Sequence, residues 1–185
     1  MCYGTARVLA SLAATLLCLP AQATVMRPVD LETLARRADV IVRGTTEATV
    51  ASLTEDGKQI HTVAILRVRS VLKGALAPEI EVRTPGGTIG DIAQVVQGAP
   101  QLSKGEEVIL FLHRVSERRF TIEGFALGKY QVIEGPGGTY LTQDLRNIGL
   151  LGPDGVVRPG TTVEPIPERA FLARVRKALE GPVAP

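Results

Sequence analysis

His61 and His113 are the only two histidines in the chain. They fall on different segments, and neither sits in a His-x-His or His-Glu-x-x-His pattern that would bring two ligands to one metal ion. Both read as surface or interface residues. Nucleophilic catalysis would need a serine held beside one of them, yet Ser52, Ser70, Ser103 and Ser116 lie in no Gly-x-Ser-x-Gly turn. A triad assembled from distant residues leaves a hydrolase using His61 or His113 open as an alternative. Glu106 and Glu107 adjoin each other at a strand entry, where successive side chains point to opposite faces, so they make a poor acid/base pair. The loop Pro85-Gly86-Gly87-Thr88-Ile89-Gly90 offers backbone amides to an anion, but it lacks the Lys-Ser/Thr of a phosphate-binding loop and opens no strong helix. It reads as a turn. An exposed Gly-rich loop lets another backbone approach closely, which makes Thr84, Gly86, Gly87 and Thr88 the candidate binding residues. No catalytic residue, metal ligand set or cofactor motif is expected.

Composition narrows the function further. The chain has 185 residues, 45% of them hydrophobic, with 21 Lys and Arg against 19 Asp and Glu. That is one domain of ordinary size. A formal charge of only +2 and 4% aromatic residues give no basic stripe and no stacking platform, so nucleic acid is not an expected partner.

Residues 1–23 carry Arg7, then an apolar run from Val8 to Leu19, then Pro20 and the small-x-small site Ala21-Gln22-Ala23. These three regions in order read as a secretory signal peptide. The apolar run is shorter than the roughly 20 residues that a membrane span needs. Cleavage after Ala23 would remove Cys2 and Cys18 together, leaving no thiol for catalysis, zinc or redox chemistry. The expected location is extracytoplasmic, periplasmic or secreted, with no transmembrane segment after the leader is lost.

The elements that must position these residues follow from periodicity and punctuation. Asp30 stands before Leu31, Leu34, Ala35 and Ala38, which share one helical face that Asp30 can cap. A long strand region begins at Val40 and runs to Leu53. After a turn at Glu55-Asp56-Gly57-Lys58, a second strand runs from Gln59 to Leu72, and the two should form a hairpin. Ile80 and Val82 alternate with charged residues in a third strand that Pro85-Gly86-Gly87-Thr88 ends; a short strand is expected at Ile92–Val96. Glu107–Leu112 is apolar on both faces and should be central, covered on each side. Arg118–Ile122 and Leu127–Ile133 alternate as two further strands. A second Pro-Gly-Gly-Thr, at Pro136–Thr139, reads as a turn of the same type as the first. Gly152–Pro167 is rich in Gly, Pro and Thr, either an ordered surface crossing or a loose linker. Phe171, Leu172, Val175, Ala178 and Leu179 then form the apolar stripe of a terminal amphipathic helix.

The landmarks Ala38-Asp39-Val40-Ile41-Val42-Arg43-Gly44, Val71-Leu72-Lys73-Gly74, Ile80-Glu81-Val82-Arg83-Thr84-Pro85 and Gly105-Glu106-Glu107-Val108-Ile109-Leu110-Phe111-Leu112 occur in a telling order. From Thr24 to Ile133 the chain resembles the netrin-like domain of tissue inhibitors of metalloproteinases, and bacterial secreted proteins that look like it. The resemblance implies an oligomer-binding (OB) type barrel of five strands in a Greek key. The strand count agrees, so the expected fold is mainly β: an OB-like five- to six-stranded Greek-key barrel with a short N-terminal helix and a C-terminal amphipathic helix. The expected organisation is a leader at 1–23, the barrel with its helix at 24–151, a Gly/Pro-rich linker at 152–167 and a helix at 168–180.

In those inhibitors a free N-terminal Cys chelates the protease zinc. The expected new terminus here, Thr24-Val25-Met26, has Thr24 where that Cys would be, so neither the chelating thiol nor the supporting disulfides carry over. An α-amine and the Thr24 carbonyl are what remain for zinc. The preferred expectation is an exported, non-enzymatic binding module engaging another envelope or secreted protein; the alternatives are a metalloprotease inhibitor acting through Thr24, Val25 and Met26, and the hydrolase above.

Overall fold

A computed structural model describes residues 24–181. The expected leader at 1–23, with Cys2 and Cys18, lies outside the described residues. Strand β1 is Val25–Met26, followed by helix α1, Leu31–Arg37. Then come β2 (Val40–Leu53), β3 (Ile60–Lys73), β4 (Glu79–Pro85), β5 (Gly87–Ile89), β6 (Ile92–Gln94), β7 (Glu107–Arg114) and β8 (Arg119–Ile122). A 3-10 turn at Phe125–Gly128 leads into β9 (Lys129–Gly135) and β10 (Gly138–Thr142). The chain ends with β11 (Gly149–Leu151), β12 (Val157–Pro159), β13 (Ile166–Pro167) and helix α2, Glu168–Glu180.

The barrel closes through five strands in the order β2-β3-β4-β8-β7, with β7 returning to β2. Four of the five contacts are antiparallel, and β4–β8 is parallel, with Val82 opposite Phe120. This is the strand order of an OB-type barrel, and closure leaves the ring itself without an edge. Its interior is filled by the alternate residues of each strand, among them Val42, Leu66, Val82, Leu110 and Phe120, with Leu102 packed against them.

Strand β7 serves two cores at once. Val108, Leu110 and Leu112 fill the barrel, while Ile109 and Phe111 point the other way into a second core under the two helices. There Phe111, Tyr130 and Phe171 meet edge-on or tilted, with centroids 4.7 to 6.4 Å apart. Such geometry adds to the area burial that holds the helices down. Asp30 caps α1 by accepting from the Thr33 amide at 2.6 Å, and the buried face is Leu31, Leu34 and Ala35. Helix α2 buries Phe171, Val175 and Ala178. Its Arg174 makes a two-bond fork to Glu32 of α1 at 2.8 and 3.0 Å, and its Glu168 accepts from Arg43 of β2.

Several boundaries differ from the sequence reading, each for a physical reason. Gly87–Ile89 is a strand, not a turn, because it pairs with β6, which ends at Gln94 and not at Val96. Both Pro-Gly-Gly-Thr tetrads do share one backbone form: φ is +87° and +144° at Gly86 and Gly87, and +92° and +135° at Gly137 and Gly138. The second closes the β9–β10 hairpin; the first instead turns the chain out of the barrel into β5. Leu127 and Gly128 belong to the 3-10 turn, so β9 starts at Lys129. Of the two readings of 152–167, the ordered crossing is what forms: β12 pairs with β11, β13 with β10, and Asp144 bridges Thr162. Among the described residues no helix is long and apolar enough to cross a membrane.

Phe171 touches both aromatic partners and is fully buried, so Phe171→Ala should lower the unfolding free energy by about 3–5 kcal/mol. Urea denaturation followed by circular dichroism checks this; a loss below about 1 kcal/mol would mean that α2 is not anchored through this residue.

Candidate functional site

One end of the barrel is where β4 leaves it and the β5–β6 hairpin folds back as a flap. Thr84 is the last inward-facing residue of β4 and is buried. Two clefts open beside it and share Thr84, Pro85 and Pro100 as walls. One, of about 240 Å³, is polar and is completed by Thr62, Thr88 and Ser103. The other, of about 210 Å³, is completed by Arg83, Thr121, Ile122 and Phe125.

The two glycines at this mouth are used by the chain itself. A Cβ on Gly87 would come within 2.5 Å of Thr62 Oγ1 and 3.0 Å of the Ala51 Cβ, and one on Gly86 within 2.7 Å of the Gln94 carbonyl. Gly86 is buried and Gly87 half-buried; only Thr88 of the four expected residues is exposed. The close backbone approach that glycine permits is thus the approach of β6 and of the β2–β3 hairpin. The Gln94 side chain pins the flap by accepting from the Ile60 amide, and Thr62 Oγ1 donates to the Gly86 carbonyl at 2.8 Å.

Phe125 is the residue that sequence reasoning missed. Phe111, Phe120 and Phe171, the other three phenylalanines, are fully buried, whereas Phe125 is 42% exposed. It is also the one non-glycine among the described residues with positive φ, at +53°. A left-handed conformation costs a residue with a Cβ about 1–2 kcal/mol. Gly124 before it, at +66°, takes the same region freely. The fold therefore holds an aromatic ring at the cleft in a conformation that the backbone alone disfavours. Leu53, Ile92 and Val95, on the hairpin tip and the flap, are exposed as well.

The histidines are far better partnered than their sequence contexts suggest. Across the β2–β3 hairpin His61 sits opposite Ser52, with Ser52 Oγ 3.1 Å from Nε2. Burial, and secondarily the charge on Arg83, holds the His61 imidazole below the usual histidine range, so it is neutral at neutral pH. Among the described residues its buried Nδ1 has no hydrogen-bond partner, so no carboxylate orients it as the base of a triad. Ser52 and His61 also spend their amides on each other's carbonyls in the ladder, so neither of those two amides is free to act as an oxyanion donor. His113 faces Asp39 Oδ2 through Nδ1 at 3.2 Å and Glu123 Oε2 through Nε2 at 2.7 Å. Both its nitrogens face carboxylates and none faces a serine. The Arg114 amide, with His113 second, keeps the Asp39 carboxyl below its ordinary range.

At the expected new terminus, Val25 and Met26 form β1 and pair parallel with β11, while the Thr24 carbonyl accepts from Gly149 at 2.9 Å. Among the described residues no three His, Cys, Asp or Glu side chains group so as to hold a metal ion. No protein-family model matches the sequence, and comparison with curated proteins finds no match.

Gly87→Val adds a branched side chain where φ is +144° and Thr62 is in contact, and should cost about 2 kcal/mol or more in denaturant. Exchange of the β5–β6 amides should rise with it; unchanged stability would mean the flap is not seated on the hairpin. A second expectation concerns pH. Because the folded chain resists protonating His61, the unfolded chain takes up the proton first, and stability should fall as the pH drops through about 6.5. Comparing urea midpoints at pH 7.5 and 5.5, the drop should be smaller in His61→Gln; an equal drop would assign it to other groups.

Proposed function

We propose that this chain is an exported, non-enzymatic binding module that engages another envelope or secreted protein through the barrel mouth. The observation that carries this reading is Phe125, an exposed aromatic held at positive φ over a cleft of about 210 Å³. Rigid aromatic side chains beside pockets are what protein partners most often use as anchors, and residues held in costly conformations cluster at functional sites. Pro85, Pro100 and Ile122 supply apolar walls to that cleft, and Arg83 and Thr121 a polar rim. Export rests on the leader pattern of residues 1–23. The relation to netrin-like domains belongs to the same proposal, and the OB-type strand order accords with it.

The hydrolase reading has the Ser52–His61 contact in its favour, and against it that among the described residues no carboxylate partners His61 Nδ1. The inhibitor reading needs the Thr24 carbonyl for zinc, and that carbonyl already accepts from Gly149.

Affinity capture from the extracytoplasmic fraction separates these readings. The protein should recover the same partner as wild type when His61 and His113 are both changed to Gln. Phe125→Gly should keep the fold, with stability within about 1 kcal/mol because relief of the positive φ offsets lost contacts, and should weaken capture at least tenfold. Capture unaffected by Phe125→Gly would remove the mouth as the contact site. Loss of an esterase or peptidase activity with the folded His61→Gln variant would favour the enzyme.

A further inference from the structure

Strand β2 is longer than the barrel needs. In its first half, Val40–Thr45 pair with β7 on one side and Ile41–Thr45 with β3 on the other. Thr46 still exchanges bonds with Gly105 and Glu106, and a register shift at Glu47 then bends the strand away. From Ala48 to Leu53 it pairs with β3 alone. Because Thr54 donates to Gln59 to close the hairpin, alternation assigns the N–H and C=O groups of Ser52, Val50 and Ala48 to β3. Those of Thr49, Ala51 and Leu53 point to the open side, where no described residue pairs with them.

Exposed edges are ordinarily guarded by lysine, proline or inward charges. This one has none of these: Ala48-Thr49-Val50-Ala51-Ser52-Leu53 is uncharged, with Val50 62% and Leu53 55% exposed. The edge is also self-complementary. An antiparallel copy related by a two-fold axis at Ala51 sets Ala51 against Ala51 and Thr49 against Leu53, which satisfies every free group at once. The same register puts Val50 beside Ser52 of the other copy, on the outer side in both. Ser52 is the one polar residue of that row and is already bonded to His61, so covering it strands no hydroxyl. At the rim Glu47 approaches Glu55 of the other copy, and its own ion pair with Arg67 at 2.9 Å offsets part of that repulsion.

We infer that β2 pairs with β2 of a second copy of this chain, Ala48–Leu53 against Ala48–Leu53, forming a continuous sheet across a weak two-fold dimer. A pairing of six residues per copy is a small contact, so association depends on concentration. This inference stands apart from the binding role of the barrel mouth, since neither Phe125 nor its clefts take part.

Sedimentation velocity and concentration-dependent amide NMR spectra test it together. Wild type should show a reversible monomer–dimer equilibrium, with shift changes confined to residues 47–55 and the facing part of β3. Val50→Lys, which places a charge on the edge and leaves the ladder to β3 intact, should raise the dissociation constant at least tenfold. Val115→Lys, an equally exposed valine outside this edge, should leave it unchanged. A monomer at every concentration, dimerisation with shifts elsewhere, or equal loss in both variants would overturn the proposal. So would shifts at 49, 51 and 53 that appear only on adding a different protein.

Discussion

The molecule depends on one strand that must satisfy two interiors. β7 pairs with β2 and β8 to close the barrel and with β9 to begin the sheet outside it, and its five residues from Val108 to Leu112 are all fully buried. A two-faced strand cannot slip by one residue without exchanging its whole side-chain set between the two cores. The barrel register and the seat of the helices are therefore fixed by the same residues. Burying these side chains at about 1.5–3 kcal/mol each is of the order of the whole stability of a domain this size, which is why the rest of the chain arranges itself around them.

That constraint leaves the ends of the barrel free to vary. The β2–β3 hairpin overshoots the ring, and the chain between β4 and β7 closes the opening with a flap seated on glycines. The features with no structural need, the strained Phe125 and the uncharged outer half of β2, both lie where the two-core constraint does not reach. A chain under that constraint can display shape and strand edge at its periphery without disturbing its centre.

Much of this was legible in the amino-acid order. The unbroken apolar run in β7 marks a strand covered on both sides, Asp30 marks the start of α1, and the stripe from Phe171 marks the buried face of α2. Each signal is local, contained within one element's own period. What escaped reading depends on relations between elements. The shift at Glu47 inverts which residues of β2 face inward, and no pattern within β2 announces it. The Ser52–His61 contact follows from hairpin register, nine residues apart in the chain. The two glycines at the mouth look available in sequence and prove to be filled by the chain's own hairpins, while Phe125 resembles any other core phenylalanine until its neighbours are placed.

Native-state hydrogen exchange most directly tests the dependence of both cores on β7. The amides of Val108 to Leu112 should exchange only through global unfolding, with a free energy equal to that from denaturant, and those of α1 and α2 should open no later than they do. Exchange of the β7 amides through a smaller opening, while the helices or the β3–β4 pairing stay protected, would show that the two cores stand independently and would contradict this description.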